Sequence, residues 1–157
     1  TKLAGEQAIE ASRCNACVIR TAWLYSEYGN NFVKTMLRLG RERDELNVVY
    51  DQVGTPTYAT DLAHAILRLA ERGVSGFEVY HFSDEGVCSW YDFTKAIHRI
   101  GGITTCTVLP LHTADYPAAA PRPHYSVLDK TKIKQTFGVT IPHWEESLQR
   151  CIRLLNP

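Results

Sequence analysis

Cys14 and Cys17 are spaced C-x-x-C, a pattern that elsewhere binds zinc or forms a redox dithiol. Either role needs company: a second such pair, or a strand before the motif with a helix opening on it. Cys88, Cys106 and Cys151 are scattered singly, so the pair is read as reduced thiols in a partly buried segment. The six histidines show no metal-ligand spacing such as H-x-x-x-H. His64 and His98 fall on helical patterns and are read as surface residues, and no metal site is assigned.

Three other stretches hold groups suited to binding. "RTAW" (20–23) follows an apolar β-branched run, and in sheets with helical crossovers such a strand exit faces the ligand. Trp23 has a flat apolar face, although on spacing alone an ordinary core position is the default for it. "DQVGTPT" (51–57) is rich in turn formers and joins a strand to a helix, which suits a site or a plain connector equally. Arg122 in "PRPHYS" offers a bidentate guanidinium for a diphosphate, against the bland alternative of a solvated loop arginine.

These groups must be positioned by regular elements, and the punctuation for such elements is clear. Residues 2–13 read as a helix and 17–25 as a buried strand. Asn30 or Asn31 caps a helix that stops on Gly40, and that N-terminus, with Asn31 and Phe32, favours an anion. Residues 45–51 form a second strand, followed by a loop and a helix over 60–73 with Leu62, Ile66 and Leu69 on its inner face. A third strand spans 77–83. Ser89 and Asp92 then make a capping-box pattern ahead of a helix bearing Trp90, Phe93, Ile97 and Ile100. A fourth strand over 105–111, a Pro-rich loop from Pro110 to Pro123, a short helix after Asp129 and a final helix with Trp144, Leu148, Cys151 and Leu155 complete the pattern. Alternating strands and helices imply an α/β fold. No G-x-G-x-x-G or P-loop follows any strand.

The 157 residues suffice for one domain with a sizeable core. Lys+Arg and Asp+Glu each number 17, so the formal charge is zero, which argues against a nucleic-acid partner. The apolar runs are all far shorter than a membrane span, and a cytoplasmic location is expected.

Five blocks, "TKLAGEQAIE", "VIRTAWLYSEYGNNFVKTML", "VVYDQVGTPTYATDLAHAI", "VYHFSDEGVCSWYDFTKAI" and "RPHYSVLDKTKI", resemble consecutive blocks of the dTDP-4-dehydrorhamnose reductase family. That family belongs to the extended short-chain dehydrogenase/reductase superfamily. The resemblance runs in order from Thr1 to about Leu155. It implies the C-terminal part of a Rossmann-like doubly wound sheet, interleaved with a small α/β region that binds the nucleotide sugar. The glycine-rich half, and a catalytic tyrosine three residues upstream of Thr1, are expected to lie outside this chain.

What the resemblance implies for chemistry is specific. NADPH (or NADH) would reduce the C4 carbonyl of dTDP-4-dehydro-6-deoxy-L-mannose, giving dTDP-L-rhamnose for bacterial surface polysaccharide such as lipopolysaccharide. Lys2 matches the lysine of the Tyr-x-x-x-Lys pair. Four residues from a tyrosine on one helical face, its ammonium would lower the phenol pKa and hold the nicotinamide ribose. The backbone of Arg20, Thr21 and Ala22 would pass the nicotinamide, and Trp23 would wall the sugar. Gln52, Thr55 and Pro56 would help form the nucleotide-sugar pocket, with Arg122 on the diphosphate. Some members use magnesium at a dimer interface, but no site for it is located. The fragment alone is expected to be inactive, and either to self-associate through the strand edge and apolar face its missing half would cover or to persist as an ordered remnant built on its C-terminal elements. Two alternatives stay open: a non-catalytic subunit like the β subunit of methionine adenosyltransferase, or an epimerase or reductase of another sugar nucleotide.

Overall fold

A computed structural model of the chain describes residues 1–117 and 120–155. Helix α1 (Lys2–Ala11) leads into strand β1 (Ala16–Arg20), and a sharp turn separates it from β2 (Leu24–Tyr25). Helix α2 (Phe32–Glu42) and strand β3 (Glu45–Val49) follow, then two short strands, β4 (Val53–Gly54) and β5 (Thr57–Tyr58). Helix α3 (Ala59–Arg72), β6 (Phe77–His81), β7 (Cys88–Ser89), α4 (Trp90–Ile100) and β8 (Thr107–Leu111) continue the alternation. A 3₁₀ turn at Thr113–Asp115, α5 (Thr131–Phe137) and α6 (Trp144–Leu155) complete the described chain. Of the Pro-rich loop, residues 118 and 119 lie outside the described residues, and Pro110 belongs to β8.

The strands pair in twos. β1 runs parallel to β6, with Ala16 opposite Phe77 and Arg20 opposite His81. β3 runs parallel to β8, with Glu45 opposite Thr107 and Val49 opposite Leu111. β2 and β5 are also parallel, whereas β4 and β7 are antiparallel. Parallel neighbours need long crossovers, which the intervening helices supply.

Two apolar cores result. The first gathers Val33, Met36 and Leu37 of α2 with Phe93, Ala96 and Ile97 of α4 and Leu148, Cys151 and Ile152 of α6. The second packs Tyr80 and Phe82 against Ala65 and Leu69 of α3 and Ile133 and Phe137 of α5. The inner face of α3 is therefore Ala65 and Leu69 with Leu62 at its margin, and Ile66 is exposed. The cap signals form as their chemistry dictates. Asn31 accepts from the Lys34 amide at 3.2 Å. Ser89 and Asp92 make a reciprocal capping box.

Two expectations fail together. Helix α2 does not stop at Gly40, and His98 is not on the surface but only 4% exposed. A Cβ at position 40 would run into the His98 ring, so glycine here permits a close helix crossing and is not a stop. His98 Nε2 donates to the Met36 carbonyl at 3.1 Å, and burial pushes the imidazole pKa down, keeping it neutral. The strand expected over 17–25 is also two strands, because Trp23 adopts φ 50° and turns the chain between them.

Between the cores lies a buried polar network. Asp61 on α3 accepts from Ser147 Oγ at 2.6 Å and from Arg150 Nη2 at 2.7 and 2.5 Å, both on α6. Asp84 is fully buried; one oxygen accepts from the Tyr58 amide at 3.0 Å, and the other, Oδ1, has no hydrogen-bond partner among the described residues. Burial pushes its carboxyl up to about 7, and the charge of Asp61 adds to this. The ordinary unfolded value is about 3.9, so between about pH 4 and 7 the folded state keeps a proton the unfolded state has lost. This contribution to stability is full below about pH 4 and lost as pH rises through 7. Urea unfolding at pH 5 and 8 should show Asp84→Asn flattening this fall; an identical pH dependence in both proteins would rule it out.

Candidate active site

One cleft brings together three residues singled out from the sequence. Phe32 at the start of α2, Gln52 after β3 and Arg122 in the Pro-rich segment line a cavity of about 370 Å³. That size falls within the range of small-molecule sites. Its floor is Met36, Val48 and Val49, and the remaining wall is Asn47, Trp90 and Tyr116. The arrangement pairs aromatic and aliphatic surface with one guanidinium and two amides, so it can cover a flat ring while binding an anionic group.

The aromatic wall is built in layers. Phe32 packs against Trp90 with ring centroids 4.6 Å apart. Trp90 in turn stacks on Trp23 at 3.5 Å and an interplanar angle of 12°. Trp23 thus gives a face to Trp90 and is not among the residues lining the cleft. Its left-handed backbone is uncommon for a bulky residue. It is held by the Thr57 amide on the Trp23 carbonyl (3.1 Å) and the Thr57 hydroxyl on the Ala22 carbonyl (2.6 Å). Glycine is required at position 54, where a Cβ would lie 2.6 Å from Ser126 Oγ and 2.8 Å from the Trp23 ring.

Several other candidates sit behind the cleft. Thr55 is buried with its hydroxyl donating to the Gly86 carbonyl at 2.7 Å, and Pro56 is buried beside it; neither lines the cavity. Their positions support the loop and offer no open contact surface. Asn31 is occupied as the cap of α2, and its amide donates to the Ser26 carbonyl at 2.6 Å. Gln52 is buried but reaches the cleft, its Nε2 donating to Thr113 Oγ1 at 3.1 Å.

The strand exit forms a second region. Arg20 grips Glu6 of α1 through two hydrogen bonds of 2.9 and 2.5 Å, tying that helix to the end of β1. Its carbonyl accepts from the Phe82 amide at 2.9 Å, and Thr21 meets Thr57 through their hydroxyls at 3.3 Å. Lys2 is exposed one turn before Glu6, on the same helical face. The structure thus places an exposed ammonium on the helix that Arg20 ties to the strand exit, and fixes that exit by its own hydrogen bonds. Among the described residues, no group of three or more His, Cys, Asp or Glu is placed to hold a metal. No described helix is long and apolar enough to cross a membrane.

Residues 1–156 match the family model described as the RmlD substrate binding domain. The chain belongs to this family. A dTDP-4-dehydrorhamnose reductase of Aggregatibacter actinomycetemcomitans is 42% identical over 158 residues, covering 95% of this chain and 54% of the relative. The spore coat polysaccharide biosynthesis protein SpsK of Bacillus subtilis is 40% identical, covering 98% and 52%. Among solved structures, a dTDP-4-dehydrorhamnose reductase from Clostridium acetobutylicum superposes with a TM-score of 0.93 at 45% identity, over 99% of this chain and 54% of that one. The chain spans about half the length of the curated relatives it matches. Membership in the RmlD substrate binding domain family accounts for the α/β fold with parallel strand pairs, which the solved relatives share.

Asn47, Trp90 and Tyr116 were not singled out from the sequence. Asn47 carried a readable signal: a polar residue on a strand with apolar neighbours at Leu46 and Val48. Trp90 reads as helix core, and only the fold brings it beside Phe32.

Proposed function

We propose that this chain is the substrate-binding half of a reductase that converts dTDP-4-dehydro-6-deoxy-L-mannose to dTDP-L-rhamnose. The observation that carries this reading is the convergence of Phe32, Gln52 and Arg122 on one cleft, in a chain of this family. The aromatic wall would cover a ring of the nucleotide sugar, and Arg122 would bind the diphosphate through paired charge-assisted hydrogen bonds. A dTDP-4-dehydrorhamnose reductase of Bacillus anthracis, 41% identical over 98% of this chain with a TM-score of 0.89, was solved with NADP. NADPH, when bound, would supply hydride to the sugar carbon. Lys2 would hold the ribose hydroxyls and keep a tyrosine one turn upstream acidic enough to protonate the carbonyl oxygen.

Titration calorimetry of dTDP into the full-length protein that contains this chain tests the cleft. A hydrogen bond to a charged group is worth about 1.5–3 kcal/mol. Arg122→Ala is therefore expected to weaken dTDP binding about 10- to 100-fold, with Arg122→Lys in between. Unchanged affinity in a folded Arg122→Ala protein would reject this placement of the diphosphate.

A further inference from the structure

Asp51 lies outside the cleft, yet most of its polar contacts go to the segment that carries Arg122. Its Oδ1 accepts from the Thr113 amide at 2.9 Å and from the Thr113 hydroxyl at 2.6 Å. The same hydroxyl accepts from Gln52 Nε2, which lines the cleft. The Asp51 carbonyl accepts from His124 Nδ1 at 2.9 Å. Two residues on, Val53 donates to the His124 carbonyl at 2.7 Å and accepts from the Ser126 amide at 2.8 Å. The second carboxylate oxygen faces His112 and His124 at 3.9 and 3.8 Å.

The short stretch from Asp51 to Val53 thus grips the chain at Thr113, three residues before Tyr116, and again at His124, two residues past Arg122. The Thr113 hydroxyl holds the Asp51 carboxyl below its usual range, so the grip is anionic at neutral pH. A solvated arginine must give up rotamer freedom to hold a ligand, and a backbone fixed on both sides lowers that cost.

We infer that Asp51 is the positioning residue that presents Arg122 to the diphosphate, its carboxylate acting through Thr113 while its backbone carbonyl holds His124, without touching substrate itself. This rests on the reading of Arg122 as the diphosphate ligand, and the test separates the two.

The experiment is dTDP titration calorimetry on the full-length protein carrying Asp51→Ala, Asp51→Asn, Arg122→Ala and the Asp51→Ala/Arg122→Ala pair. Asp51→Ala should weaken dTDP binding about tenfold, equivalent to about 1.4 kcal/mol. Affinity for NADPH should stay unchanged. Asp51→Asn keeps an oxygen for both Thr113 donors and should restore most of the loss. In the Arg122→Ala background, Asp51→Ala should cost nothing further, because residues acting through one contact are not additive. Should Asp51→Ala fail to fold, Thr113→Val removes the hydroxyl link to Asp51 together with the Gln52 bond and keeps the Thr113 amide. A Gln52→Leu control separates the two, and a smaller loss of the same kind is expected beyond that control. A full loss in the Arg122→Ala background, or no loss from Asp51→Ala or its Thr113→Val substitute where Arg122→Ala has one, overturns this inference alone. No loss from Arg122→Ala overturns both readings.

Discussion

In the full-length protein, Lys2→Met is expected to lower turnover about 10²- to 10⁴-fold, the range contributed by a positioned proton donor. Lys2 sits exposed on α1, whose placement is fixed by the Glu6–Arg20 ion pair at the end of β1. The methylene stem of methionine preserves the helix and removes only the charge. Two functions would go at once: the ribose contact, seen as a higher KM for NADPH, and the electrostatic support of the upstream phenol, seen in kcat. KM for the sugar nucleotide should move little, because its cleft is built from α2, β3 and the Pro-rich segment. NADPH oxidation with dTDP-4-dehydro-6-deoxy-L-mannose as substrate reads all three. Wild-type turnover in Lys2→Met would remove Lys2 from the chemistry, and dTDP binding without turnover in the parent protein would point to another sugar.

Arg150→Ala is expected to lower the unfolding free energy by about 2–3 kcal/mol, below the roughly 3–5 kcal/mol for removing one partner of a fully buried pair. The figure is discounted because the Arg150 side chain is 43% exposed and keeps part of its hydration. Asp61, by contrast, is 7% exposed and would be left with Ser147 as its remaining partner. Asp84 lies close enough for the two carboxylates to repel, so the guanidinium restrains both. Replacing Arg150 by lysine should recover part of the loss, since a single nitrogen, Nη2, makes both contacts to Asp61 and an ammonium retains the charge. Urea denaturation with midpoints compared at constant m-value measures this. A loss below about 0.5 kcal/mol, the level of an ordinary surface change, would show that solvent replaces the guanidinium freely.

Much of the architecture was legible because helix signals are local. Ser89 with Asp92 and Asn31 before α2 specify their caps within a few residues, and the structure realises both. The errors share one cause, which is that the deciding neighbour is remote in sequence. Gly40 reads as a stop and His98 as surface until α2 and α4 are crossed; then the missing Cβ of the former is the room for the latter. Trp23 reads as a strand residue, because nothing local announces a left-handed tryptophan. The cleft follows the same rule. Phe32, Gln52 and Arg122 were reachable through the resemblance to a family, whereas Trp90 and Tyr116 enter only through packing.

The division into two cores has a kinetic consequence. The chain alternates between them: β1 belongs to the second, α2 and β3 to the first, α3 and β6 to the second, α4 and β8 to the first. Neither can be assembled from one contiguous stretch, so loop-closure entropy must be met many times before burial rewards it. The second core waits for Ile133, Phe137 and Ile141, and the first for Leu148, Cys151 and Ile152. The Asp61–Arg150 pair then joins one to the other. A nascent chain that has emerged as far as β8 therefore holds two half-built apolar surfaces side by side, and that species, rather than the finished fold, is the one most exposed to aggregation and to chaperones.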